Sequence, residues 1–258
     1  MRRVGLVAVV VAWGCVGELT DARDVETITL TAAPLAGGTL DVRLGAGRLD
    51  VHGDPGVTEV AVTAVVRTLL PESPKKDLNA LEDLRFELVE DDGQLELVVQ
   101  LSDAFTAWYV DVDVSMPPDM FVAVEDGAGD MFIQAVAGAV IDDLGGDIEL
   151  EDVPGRVEIR DGSGGIFLSA VGDGVDIVDG SGAIEMIDVT GDVDVVDTSG
   201  SIQAERVQGH VEIDDTSGDI HLTEVTSARV ADGSGDIHLD RVGGWELVRD
   251  EDGEVFER

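Results

Sequence analysis

Val157–Gly174 reads VEIRDGSGGIFLSAVGDG, and Val175–Asp192 reads VDIVDGSGAIEMIDVTGD. Val193–His210 follows with VDVVDTSGSIQAERVQGH, and Val211–Val225 with VEIDDTSGDIHLTEV. With the unit numbered from Val157, three columns recur together at steps of 17 or 18 residues. Position 5 is Asp126, Asp143, Asp161, Asp179, Asp197, Asp215, Asp232 and Asp250. Position 8 is Gly129, Gly146, Gly164, Gly182, Gly200, Gly218, Gly235 and Gly253, and position 10 is apolar from Met131 to Val255. Self-similarity at a short fixed period is the signature of a repeat architecture.

Within each unit, positions 1 and 3 are apolar (Val175, Ile177), as are 10 and 12 (Ile184, Met186). Polar residues alternate with them, the period of a strand with one buried face. A D-G/T-S-G turn joins the two strands, and its glycine column implies a backbone conformation that other residues avoid. A second turn follows an apolar residue at position 15 (Val171, Val189, Val207, Val225). A unit this short cannot bury its apolar face alone, but stacked copies can. The sequence therefore predicts an all-β parallel β-solenoid with coils of about 18 residues, preceded by a β-rich entry domain.

The expected organisation is a signal at 1–14, a tether at 15–26, the entry domain at 27–118 and the solenoid at 119–258. Arg2 and Arg3 precede the apolar run Val4–Trp13, which is too short to span a membrane as a helix. Cys15, the single cysteine, follows Gly14 directly and is the expected lipidation site. An ordinary cleaved signal with an incidental cysteine is the plainer alternative. Leu40–Val51 reproduces positions 1 to 12 of the unit, with Gly47 at position 8 and Leu44 in place of the aspartate, and so is expected to be a degenerate coil. Pro71–Leu84 breaks the β pattern and suits a short helix or an ordered loop. Arg85–Glu90, a turn at 91–93 and Gln94–Leu101 read as a hairpin.

The 258 residues carry 55 acids, 16 bases and a net charge of −39. That balance excludes a nucleic-acid partner, which needs a basic footprint. One cysteine excludes a disulfide framework and a zinc–cysteine cluster. At 44% hydrophobic and strongly patterned, the chain is not a disordered polyanion.

GAGRLDVHG (Gly45–Gly53), VDVSMPPDMFVAVEDGAGDM (Val112–Met131) and coils such as Ser217–Leu222 together resemble the DUF4097-type family of bacterial envelope proteins, often labelled "putative adhesins". The resemblance implies a β-solenoid at the cell surface or in the periplasm, and it brings no established catalytic residues.

The position-5 aspartates allow two readings. Asp161, Asp179, Asp197 and Asp215 are candidate ligands of Ca²⁺, which prefers oxygen. Alternatively, each carboxylate caps the backbone N–H groups of its own turn. Capping is favoured, because in calcium-binding β-rolls the aspartate follows the glycines rather than preceding them. His221 and His238 share position 11, with Asp219 and Asp236 nearby; they could hold a second metal, but filling a solvated face is the favoured reading. No nucleophile–base motif or phosphate-binding glycine loop is present.

The functional expectation is a non-enzymatic, exported, lipid-anchored acidic solenoid, an adhesin or envelope binding protein without a cofactor. Its partner would be a protein or glycan at the cell surface, with the membrane engaged only through the anchor. The alternative is a carbohydrate-active or carbohydrate-binding protein on the same scaffold. Clustered aromatics beside two carboxylates in a groove would favour that alternative.

Overall fold

The computed structural model describes residues 10–11, 23–34, 36–68, 84–91, 93–100 and 108–258. Cys15, most of the signal and tether, and nearly all of Pro71–Leu84 lie outside the described residues. Every regular element among the described residues is a strand.

Two strands per unit stack in parallel and in register, so the chain winds as a β-solenoid. Its first face runs through Phe121–Asp126, Ala139–Asp143, Val157–Asp161, Val175–Asp179 and Val193–Asp197. It continues through Val211–Asp215, Ala228–Ser234 and Trp245–Asp252. The second face runs through Met131–Gln134, Ile148–Val153, Ile166–Val171, Ile184–Val189 and Ile202–Val207. Ile220–Val225, Ile237–Asp240 and Val255–Glu257 complete it. These are eight coils, and at about 4.8 Å each they form a rod of roughly 35 to 40 Å.

Inward positions follow from the alternation. In the coil starting at Val157, residues Val157, Ile159, Ile166, Leu168 and Val171 are at most 1% exposed. Between Leu168 and Val171 the alternation breaks, because Ala170 sits at φ 58°. This left-handed residue turns the chain, so that Val171 again points inward and closes the apolar filling. Asp152, Asp188, Arg206, Glu224 and Arg241 take the same conformation in their own coils, with φ between 55° and 61°.

The degenerate coil is present. Thr39–Leu44 pairs in parallel with Phe121–Glu125, and Leu49–His52 with Met131–Gln134. Gly47 has the φ of the glycine column, 129°. A later part of the chain lies on its other side: Gln94–Gln100 pairs in parallel with Leu40–Leu44, and Trp108–Met116 with Leu49–Gly53. The coil at 39–53 is thus held between residues 94–116 and 121–134, out of sequence order.

Beyond the 94–116 rung the pairing becomes antiparallel. Arg85–Asp91 forms the expected hairpin with Gln94–Gln100. Val60–Thr68 pairs with Trp108–Ser115, and Arg23–Ala32 pairs with Val60–Thr68. This sheet covers the end of the rod that would otherwise offer an open parallel edge.

Candidate functional site

Three sets of polar side chains are brought together by the winding. The first is internal. Alternation puts positions 1, 3 and 5 on the same face, so the position-5 aspartates point into the rod with the valines and isoleucines. Asp126, Asp143, Asp161, Asp179, Asp197, Asp215 and Asp232 are 0 to 7% exposed. In each, Oδ1 accepts a turn N–H: Ser163 at 3.1 Å for Asp161, Ser181 at 3.1 Å for Asp179, Ser199 at 3.0 Å for Asp197 and Ser217 at 3.0 Å for Asp215. The capping geometry is therefore present at all four calcium candidates. Oδ2 of all seven aspartates is buried without a hydrogen bond. Burial raises these carboxyls above the usual range, to about 7 at Asp126 and about 6 at Asp179 and Asp215. Among the described residues, no three His, Cys, Asp or Glu side chains converge as a metal-holding set.

The second set is the position-11 column on the outside of the second face. His221 and His238 stack with centroids 4.4 Å apart, and Phe256 continues the stack at 4.8 Å from His238. The neighbouring carboxylates face the backbone instead. Asp219 Oδ1 accepts the N–H of Asp236 at 2.9 Å, and Asp236 Oδ1 that of Glu254 at 3.1 Å. Asp130 and Asp147 make the same coil-to-coil bonds further up the rod.

The third set lines a groove of about 750 Å³ along the left-handed corner. Asp152, Ala170, Asp188, Arg206 and Glu224 line it from five successive coils, beside Thr190 and Gln208. Arg206 grips Asp188 with two bonds, Nε to Oδ1 at 2.6 Å and Nη2 to Oδ2 at 3.0 Å. That contact lowers the Asp188 carboxyl and raises the guanidinium. Arg241 reaches Glu224 at 2.8 Å. No aromatic ring is among the residues lining this groove. Sequence reasoning missed it, since positions 13 and 14 differ from coil to coil and carry no glycine to mark a turn. The available signal was the broken alternation before the invariantly apolar position 15.

On the outside of the first face, Glu158, Asp176, Asp194 and Glu212 occupy one column. Arg156 contacts Glu158 and Asp176 at one end, and Arg229 contacts Glu212 at the other. Asp194, between them, is raised by partial burial first and then by Glu212 and Asp176.

No known family pattern matches the chain, and no curated protein matches it in sequence. Among solved structures it is similar to a "putative adhesin" from Bacteroides fragilis at 12% identity, covering 90% of this chain and 97% of that one, with a TM-score of 0.44. It is similar to a "putative cell adhesion protein" from Clostridium sporogenes at 12% identity, covering 74% and 100%, with a TM-score of 0.41. A "putative lipid binding protein" from Parabacteroides distasonis matches at 12% identity over 89% and 94%, also at 0.41. At these scores nothing about the role of this chain rests on the likeness.

Proposed function

We propose that the chain is an exported, lipid-anchored, non-enzymatic solenoid that presents a stiff acidic rod at the cell envelope, where it acts as an adhesin or binding protein for a protein or glycan partner. The observation that supports this reading is the in-register column Glu158–Asp176–Asp194–Glu212, in which Arg156 meets the first two carboxylates and Arg229 the last. It repeats carboxylates at about 4.8 Å along a rigid face, so a basic or hydroxyl-rich partner could be met by many weak contacts at once. The resemblance to DUF4097-type envelope proteins accords with the proposal. Cys15 supplies the anchor through its lipidated sulfur.

The carbohydrate-active alternative draws on the corner groove, which is long enough to cross several coils. Its carboxylates are partly tied to arginine, and its lining lacks the aromatic platforms that sugar rings favour, so the first reading is preferred.

Two measurements on the full chain test the proposal. Cys15→Ser should move the protein from the membrane fraction to the soluble fraction, and a variant that stays with the membrane refutes the anchor. Binding to envelope extract should fall when Asp176, Asp194 and Glu212 are changed together to their amides. Unchanged binding would refute the role of the face. Degradation of a polysaccharide by the parent, abolished in Asp188→Asn, would establish the alternative.

A further inference from the structure

Seven aspartates stand in single file inside the rod, and half of their oxygen atoms have no partner. One carboxylate oxygen of each is occupied by a turn N–H, from Gly127 at 2.7 Å for Asp126 to Ser234 at 3.1 Å for Asp232. The other, Oδ2, makes no hydrogen bond in any of the seven and is sealed from solvent. In-register pairing sets Asp126 on Asp143, Asp143 on Asp161, Asp161 on Asp179, Asp179 on Asp197 and Asp197 on Asp215. Each backbone step along this file is about 4.8 Å, close enough for neighbouring carboxyl groups to reach one another by rotation about their side-chain bonds.

The surroundings supply almost no positive charge. Along the file each aspartate faces the aspartates above and below. Asp142 bears on Asp143, Asp147 on Asp161, and Asp250 on Asp232. Across the interior, the second strand of each coil presents Ile166, Ile184, Ile202 and Ile220, all buried. Pairing of Arg43 with Glu125 sets Leu44 over Asp126 at the upper end, where Asp126 also borders a pocket lined by Arg43, Arg85 and Glu125. At the lower end Arg249 bears on Asp232, and it already binds Asp214 and the carbonyl of Asp215. An unbroken row of ionised carboxylates, each with a bare buried oxygen, is not tenable in such a place.

We propose that this internal file is a proton-binding site, in which Oδ2–H of one aspartate donates to Oδ2 of the aspartate in the next coil. One proton satisfies two otherwise bare oxygens and removes one charge, so the native rod takes up protons, toward roughly one for every two aspartates, as pH falls from neutral through about 6. Each neutral acid keeps Oδ1 as acceptor for its turn N–H, so the caps survive protonation. The unfolded chain releases these protons above about pH 4.

The consequence is a reversed pH dependence of stability. The folded-state carboxyls are raised, to about 6 at Asp179 and Asp215 and about 7 at Asp126. The native state therefore holds protons that the unfolded state has lost, and stability falls as pH climbs from the unfolded value through the folded one. Acidification from neutral toward about pH 5 should tighten the rod. Repulsion among the surface acids pushes in the same direction, but salt screens it, whereas a sealed interior is screened far less.

The test uses the full chain labelled with carbon-13 at the aspartate carboxyls. A subset of resonances should titrate with midpoints near pH 6 to 7, well above the surface carboxylates near about 4. Asp179→Asn should remove one of these and shift its neighbours, because the amide N–H replaces the shared proton. In about 1 M sodium chloride, the melting midpoint of the parent should still fall by several degrees between about pH 5 and pH 8, and the variant should fall less. If Asp179→Asn does not fold, Asp126→Asn at the end of the file serves in its place. The proposal is overturned if every aspartate titrates below about pH 5, or if the melting midpoint stays level or rises over that interval in high salt. It is equally overturned if the melt depends on which cation is supplied, sodium, potassium or calcium at equal ionic strength, and Asp179→Asn abolishes that dependence. A cation, not a proton, would then lie between the carboxylates.

Discussion

Replacing Gly200 with alanine adds one methyl group at the most crowded kind of position in the rod. Gly200 has φ 152°, and a Cβ there would stand 1.6 Å from the carbonyl oxygen of Gly182 in the coil above. Neither partner can turn aside, because both are backbone. Relief requires the two coils to part by more than an ångström at this corner. The bond from Gly182 N to Ser199 O is 3.0 Å and that from Gly200 N to Ser217 O is 3.1 Å, so a shift of that size breaks at least one of them. Strain at a glycine-only conformation costs about 1 to 3 kcal/mol. A lost hydrogen bond adds about 1 kcal/mol or more if its groups stay buried. The sum is about 2 to 5 kcal/mol, which at this chain length lowers the melting midpoint by roughly 10 °C. Gly165→Ala is the control. Its Cβ would meet nothing closer than Asp147 Oδ1 at 3.3 Å, and Ala183 and Ser201 hold the same position in the next two coils. Thermal and denaturant melts of both variants, with hydrogen exchange to show whether coils 184–189 and 202–207 open first, decide the matter. If Gly200→Ala melts with Gly165→Ala, the stacking of glycine on carbonyl is not what spaces the coils.

Two further substitutions probe the filling and the second corner. Leu168 is fully buried between Leu150 and Met186, so Leu168→Ala should cost about 2 to 5 kcal/mol in denaturant unfolding, and a loss under about 1 kcal/mol would mean that the coils collapse freely onto a cavity. Ala170 is left-handed at φ 58°, so Ala170→Gly should stabilise by about 0.5 kcal/mol, whereas branched Ala170→Val should destabilise; the reverse order in thermal melts would refute the corner assignment.

The winding was legible because three columns share one step, and a shared step is what in-register stacking requires. Even Leu40–Val51, far from the array, could be recognised as a coil, because Leu40, Val42, Leu49 and Val51 keep the apolar positions around Gly47. Its place in the stack was not legible. Nothing local to Gln94–Gln100 says that one edge meets the hairpin strand Arg85–Asp91 and the other meets Leu40–Leu44. That is decided by the register of distant strands, and alternation is the same for parallel and antiparallel partners. At the polar columns, spacing showed which residues stack, but it did not show how the partners are shared out. Asp197 was recognisable as a turn cap, but its burial was not read, although the alternation of Val193, Val195 and Asp197 carries it to the inner face. That its second oxygen would be left bare depends on the absence of a donor in the interior, where the second-strand residues, Ile202 among them, are apolar and buried. The corner at Ala170, Asp188 and Arg206 was hidden because its residues are ordinary ones held left-handed by the stack, against their own preference.

The out-of-order coil at 39–53 makes the two ends of the rod mechanically unlike. A simple solenoid can be peeled one turn at a time, each step giving up a single interface. The end bearing Trp245–Asp252 has that form. At the other end, residues 39–53 are stitched beneath a rung made by chain that comes later, and that rung is itself bonded to Val60–Thr68 and through it to Arg23–Ala32. Tension applied through the N-terminus meets this seam first. It must tear several strands together before any coil of the array can unwind, so the rod is latched on the side from which an N-terminal tether would pull.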